Sequence, residues 1–362
     1  MFIYFILLLL SFLLGINKSL KQVYYYAFFA LLIFVGAFRG IEVGTDLHGS
    51  YWANYSVMTS NPTTWNSYTE MEPLFNYMMA FIKINVNSYQ FFYGIVFAFY
   101  MWGVFVLLKK YSTNKMLSLF FFILFLYYSF AFNAIRQALA LALIMPALSL
   151  LTQKQIPKII FYEAYILLIS FGFHRSCIIF AFIPFVISDY VKIIFENNRT
   201  KLCIILFVSY FFVFLQKFLY QYTSAMSSII DFMGDRYVLY MVNSKNSEET
   251  ISVYSALMNT VMAIYITAII PKQKLSNIFF IFFIFGQLIT NILGSLSTLY
   301  IRVGTNFLFF EILLFTELWY CVSVRHRLNF RFLLVVYGLI VFTNSMLKNF
   351  GQVVPYTNWL FE

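Results

Sequence analysis

YQFFYGIVFAFYMWGVFVLL, residues 89–108, runs for 20 residues without a charge. Wound as an α-helix it would rise about 30 Å, the thickness of the hydrocarbon core of a bilayer. Uncharged runs of similar length recur from end to end. Hydrophobic residues make up 62% of the chain and charged residues 10%, against about 25% charged in soluble domains. Mean hydropathy is +0.80. A transmembrane barrel would show short alternating segments instead. The sequence therefore reads as an all-α polytopic integral membrane protein, one transmembrane domain over residues 1–362. The outer loops 39–88 and 220–251 carry most of the extramembrane mass. Twelve spans are expected: 2–16, 23–38, 89–108, 115–132, 134–152, 157–173, 176–191, 202–219, 252–270, 275–293, 302–321 and 330–347.

Just before the opening stretch lies FNYMMAFIKI, Phe75–Ile84, which is short and carries Lys83. Basic residues gather in cytoplasmic loops. If 75–84 does not cross, the loops with Lys18 and Lys21, Lys109–Lys115, Lys154 and Lys158, Lys192–Lys201, Lys272 and Lys274, and Arg325–Arg331 all share one side. If it crosses, they fall on opposite sides. The segment is therefore expected to be a re-entrant or interfacial helix on the outer face, with both termini outside.

The formal net charge is +10. Most of that charge sits in short loops between apolar runs, as topology signals do, so nucleic acid is not an expected partner. Cys177, Cys203 and Cys321 lie in apolar runs without metal-type spacing and read as small hydrophobes. The run Phe2–Gly15 lacks a basic leader and a small-residue cleavage site, so it is kept as a span. No P-loop, dinucleotide fingerprint, HExxH or CxxC is present.

With this topology, four arginines stand at outer span ends, against the usual bias: Arg39, Arg136, Arg175 and Arg302. Ionisable groups at membrane depth point first to function. FRGIEVGTDLHGSYWANY (38–55) places Arg39, Asp46 and Tyr51 in one outer loop that continues to Glu70 and Glu72. An arginine fork suits phosphate or carboxylate, a carboxylate can orient it or act as base, and Tyr51 and Trp52 can pack a sugar face. FNAIRQALALAL (132–143) sets Arg136 and Gln137 one turn into an apolar helix. FGFHRSC (171–177) sets His174 beside Arg175 in a tight turn, and His is the usual general base. Asp231 and Asp235, one helical turn apart, could be an acid–base pair or hold a metal, but the favoured reading is the solvated face of an amphipathic helix on the membrane. Glu311, near the middle of 302–321, is expected to make a structural polar contact.

These motifs resemble those of EpsG-like bacterial polysaccharide polymerases, which include many O-antigen polymerases of the Wzy type. The resemblance rests on RGIEVGTD (39–46) with Tyr51 and Tyr55, on MEPLF (71–75), NAIRQALA (133–140) and FHRS (173–176), and on the closing Pro355-Tyr356. They occur in family order over nearly the full length. Glu42 and His48 stand where the resemblance leads one to expect less charge. The resemblance implies a GT-C-like glycosyltransferase in the bacterial inner membrane, with its active site facing the periplasm. It implies undecaprenyl-pyrophosphate-linked repeat units as substrates, membrane lipids, a flippase and a chain-length regulator as partners, and no metal or other cofactor. Carried onto this chain, His174, Asp46 and Glu72 are the candidate catalytic residues, His174 first as base. Arg39, Arg136, Gln137, Arg175, Arg302 and Tyr51 are the candidates to hold pyrophosphate and sugar. The rivals are a flippase of lipid-linked oligosaccharide, which should show a twofold repeat that is not seen, and a membrane acyltransferase. The latter would want a His near the cytoplasmic side, where only His326 in a basic loop is found.

Overall fold

The protein is described by a computed structural model covering residues 1–17, 22–59, 61, 71–153, 155–219, 252–294 and 298–361. Every named element among these residues is helical. An isolated bridge between Arg39 and Asn358 supplies β-type pairing. The all-α expectation and the apolar character of the helices hold. Glu70, Asp231 and Asp235 lie outside the described residues.

The described residues fall into two compact units. The first comprises Met1–Ala181, Phe315–Trp319 and Leu328–Glu362. It is built from α1 (Phe2–Ile16), α2 (Gln22–Ala37), a π-helical turn (Leu47–Tyr51), α3 (Trp52–Val57), α4 (Pro73–Asn85), α5 (Tyr89–Tyr111), α6 (Lys115–Leu124), α7 (Tyr127–Asn133), α8 (Ile135–Ala147) and α9 (Ile156–Gly172). Local chemistry sets several of these ends. Ser88 caps α5 by accepting the Phe91 N–H, and Lys109 and Lys110 close its last turn against the helix dipole. Asn114 caps α6 in the same way. Pro73 opens α4, where its missing N–H costs nothing. Helix α8 packs on α5 and α9, and α4 packs on α3, α5 and α9. An apolar core of Leu47, Tyr51, Phe75, Phe92, Ile135 and Leu139, among others, ties the segments together.

The second unit, Phe182–Leu314 with Tyr320–Arg327, contains α10 (Ile183–Val186), α11 (Asp189–Asn197), α12 (Arg199–Leu219), α13 (Val253–Ile269), α14 (Ile278–Leu293) and α15 (Thr298–Leu308). Helix α12 packs on α13 and α14. Buried Asn291 donates to Ser209 at 2.9 Å and Thr260 at 2.8 Å, and Gln287 donates to Asn291 at 3.1 Å. Amide and hydroxyl pairs of this kind link helices that lack an aqueous hydrophobic drive. Two further helices, α16 (Glu311–Cys321) and α17 (Val324–Leu347), complete the chain.

Two helices among the described residues, α5 and α17, are long and apolar enough to cross a membrane alone, and up to four spans result if each bent pair counts as one. Other apolar runs form shorter helices such as α1, α2, α13 and α14. Several expected spans are broken. The run 115–132 becomes α6 and α7, bent by 51° at Leu126, whose φ of 66° is left-handed. The run 176–191 begins as a 3-10 helix, Arg175–Phe182. The run 302–321 divides at Phe309 and Phe310, so Glu311 opens α16 instead of standing mid-helix. A carboxylate there meets the positive end of the helix dipole. Helix α4 has 13 residues, about 20 Å of rise, well short of the hydrocarbon thickness.

Candidate active site

The first unit brings three separate polar motifs onto one carboxylate. Glu72 directly precedes α4, Arg136 is the second residue of α8, and His174 follows α9. Glu72 Oε2 accepts a hydrogen bond from Arg136 Nη1. Its other oxygen, Oε1, accepts the backbone N–H of Arg175 at 3.3 Å and lies 3.5 Å from His174 Nδ1. Arg136 Nε donates to the Tyr51 hydroxyl at 2.7 Å. The side chains of Glu72 and His174 are 4% and 5% exposed and that of Arg136 is 14% exposed. A buried carboxylate is tolerated only when its lone pairs are taken up in this way.

Electrostatics fixes the protonation of the centre. Burial alone would raise the Glu72 carboxyl, but the adjacent His174 imidazole and the charge of Arg136 outweigh it and hold the group at about 2. Glu72 is thus an anion at neutral pH and a poor base. Burial pushes the Tyr51 phenol up, so the hydroxyl stays protonated and serves Arg136 as an acceptor. Because the folded-state value of Glu72 lies below its ordinary 4.5, its contribution to stability is complete above about pH 4.5 and is lost as the pH falls towards 2. Thermal melts of detergent-solubilised protein are expected to show a steeper acid loss for the wild type than for Glu72→Gln across that window. Parallel acid profiles would contradict the ionised state.

The remaining sequence candidates are placed as follows. Arg175 sits beside the cluster with its side chain exposed. Gln137 is buried next to Arg136 on α8. Tyr51 is buried, edge-on to Phe75 at 5.8 Å, so it holds Arg136 and does not offer an open ring. Trp52, at 46% exposure, has the accessible face of the two. Asp46 accepts the N–H of Ile135 at 3.0 Å, which makes it a cap on the first turn of α8. Arg302 lies on α15, in the second unit.

Arg39 is the most enclosed of the candidates. It is fully buried, donates to Gly36 O at 2.6 Å and Val43 O at 3.3 Å, and lies over Phe132, 4.3 Å from the ring centroid, with Tyr93 at 5.1 Å. Cation–π contact and backbone carbonyls stabilise the charge in place of water. In this structure the side chain holds the chain's own backbone. The exposed pair His48 and Glu42, 2.9 Å apart, is likewise a surface contact.

One family model, that of the EpsG family, matches residues 22–358. The chain belongs to the EpsG family. Nothing among curated proteins or solved structures matches it. The EpsG match begins at the first residue of α2 and ends at Asn358, the residue that bridges to Arg39. It therefore takes in every residue of the cluster. In this EpsG-family chain a further polar residue, Asn133, stands beside the cluster. Asn133 ends α7, and its carboxamide oxygen accepts both the N–H and the hydroxyl of Thr45, at 2.8 and 3.2 Å. A polar residue three positions before Arg136 in an otherwise apolar run was the available signal.

Proposed function

We propose that this EpsG-family protein is a bacterial surface-polysaccharide polymerase of the Wzy kind. It joins undecaprenyl-pyrophosphate-linked oligosaccharide repeat units at the periplasmic face of the inner membrane, in a GT-C-like architecture. The observation that carries the reading is the convergence of Arg136, His174 and Arg175 on buried Glu72, within a chain of this family.

The chemistry asks for two things. As the bond from the anomeric carbon to the pyrophosphate breaks, negative charge grows on the leaving group, and fixed guanidinium groups in a poorly hydrated site can neutralise it. Arg136 and Arg175 take that part. The attacking sugar hydroxyl must lose a proton as the new glycosidic bond forms. His174 takes it at Nε2, while Nδ1 keeps its hydrogen towards Glu72. An anionic Glu72 favours that tautomer and stabilises the imidazolium, the role a carboxylate plays behind any catalytic histidine. Inversion at the anomeric carbon and release of the polyprenyl pyrophosphate complete a single displacement. A flippase supplies the units and a chain-length regulator sets how many are joined.

A strain deleted for the gene, complemented with the wild-type gene and scored on a polysaccharide gel, tests the reading. Restoration of a ladder from single-unit material is the expected result. Unaltered chain length on deletion would overturn it.

A further inference from the structure

Arg136 is held from both ends by one short stretch. Asp46 accepts the Ile135 N–H, one residue before Arg136, at 3.0 Å. Five residues after Asp46, the Tyr51 hydroxyl accepts Arg136 Nε at 2.7 Å. The joint is reciprocal, since Thr45 donates its N–H and hydroxyl to Asn133, two residues before Ile135. Between them, Ala134 leaves helical geometry (φ −144°, ψ 53°), so α7 ends and α8 starts anew at this point.

The C-terminal tail closes the joint. Gly44 donates its N–H to Gln352 O at 2.9 Å, and Gly40 donates to Thr357 O at 2.9 Å. Trp359 stacks on Phe38, with centroids 5.7 Å apart and planes at 12°. Two glycines make the approach possible. Gly44 has φ +100°, and a Cβ there would meet Phe132 O at 2.5 Å. Gly351 has φ +76°, and its Cβ would meet Asn133 Nδ2 at 2.1 Å. Both need the left-handed region that glycine alone enters freely.

We infer that Asp46 and Asn133 are positioning residues: with the tail, they clamp the break before α8 and so set where Arg136 stands against Glu72. Asp46 acts as a hydrogen-bond acceptor and not as the base. This deepens the polymerase reading and rests on it for its kinetic part. A helix start that frays moves the next side chain, and misplacement of about 1 Å can lower a rate by about a hundredfold.

The test uses the full-length protein in lipid vesicles with a lipid-linked repeat unit, and compares Asp46→Asn, Asp46→Ala and Asn133→Ala. Asparagine keeps an acceptor oxygen and loses the base. The clamp predicts that Asp46→Asn retains kcat within about threefold with an unaltered pH profile, as asparagine caps helices about as well as aspartate. It predicts that Asp46→Ala and Asn133→Ala lose about tenfold to a hundredfold in kcat. Hydrogen–deuterium exchange of segment 133–138 is read in parallel, without substrate. It should quicken by roughly fivefold in the two alanine variants and not in Asp46→Asn, the size expected from losing a cap. A dead Asp46→Asn with normal exchange would make Asp46 the base and overturn the inference. Unchanged exchange in Asp46→Ala would overturn it too. Absence of a ladder from the wild type would sink the polymerase reading alone and leave the clamp to be judged by exchange.

Discussion

Arg136→Ala is expected to abolish ladder formation, with single repeat units accumulating on the lipid and a rate loss on the order of 10²–10³-fold. That is the scale found when one preorganised group facing developing charge is removed. The substitution also leaves Glu72 buried without the guanidinium that takes up Oε2. Breaking a buried pair from one side costs about 3–5 kcal/mol, so loss of fold would mimic loss of chemistry. The control is a double variant, Arg136→Met with Glu72→Gln, which removes both charges. Replacing both partners of a buried pair is often close to neutral. Near-wild-type melting with no polymer is the expected outcome. A double variant that folds and polymerises normally would remove Arg136 from the reaction.

The second large effect is at His174. His174→Ala is expected to lower kcat by about 10²–10⁴-fold, the range for a lost general base, with KM nearly unchanged and the acid limb of the kcat–pH profile gone. Glu72→Gln should fall between this variant and the wild type. The amide can still meet Nδ1, but it neither selects the Nδ1–H tautomer nor stabilises the imidazolium. Steady-state kinetics over a pH series measures both. A Glu72→Gln variant more damaged than His174→Ala, at equal stability, would shift the base to Glu72. Its carboxyl value of about 2 argues against that outcome.

Much of this centre was legible as residue types and little of it as geometry. Glu72, Arg136, His174 and Tyr51 stood out because a polar group inside an apolar chain is expensive and therefore conspicuous. Nothing in their spacing said that one carboxylate would gather Arg136 and His174, with Tyr51 joined through Arg136. That depends on α4, α8 and α9 packing together over a shared apolar core. Arg39 was conspicuous for the same reason, yet it turns inward. The decisive partners, Phe132, Tyr93 and the tail around Asn358, are remote in sequence. Hydropathy located the apolar runs but not their breaks. The bend at Leu126 falls where there is no proline or glycine, in a left-handed residue that packing must hold in place. Asn133 opens the NAIRQALA motif, but its contacts are not readable there, because it accepts hydrogen bonds from a loop 88 positions away.

The most direct test of the central claim is incubation of the purified wild-type protein, in lipid vesicles, with one undecaprenyl-pyrophosphate-linked repeat unit. The account predicts a ladder of products differing by whole repeat units, with one polyprenyl pyrophosphate released for each bond formed. Recovery of the unit with no covalent change, or with an added acyl mass, would contradict it.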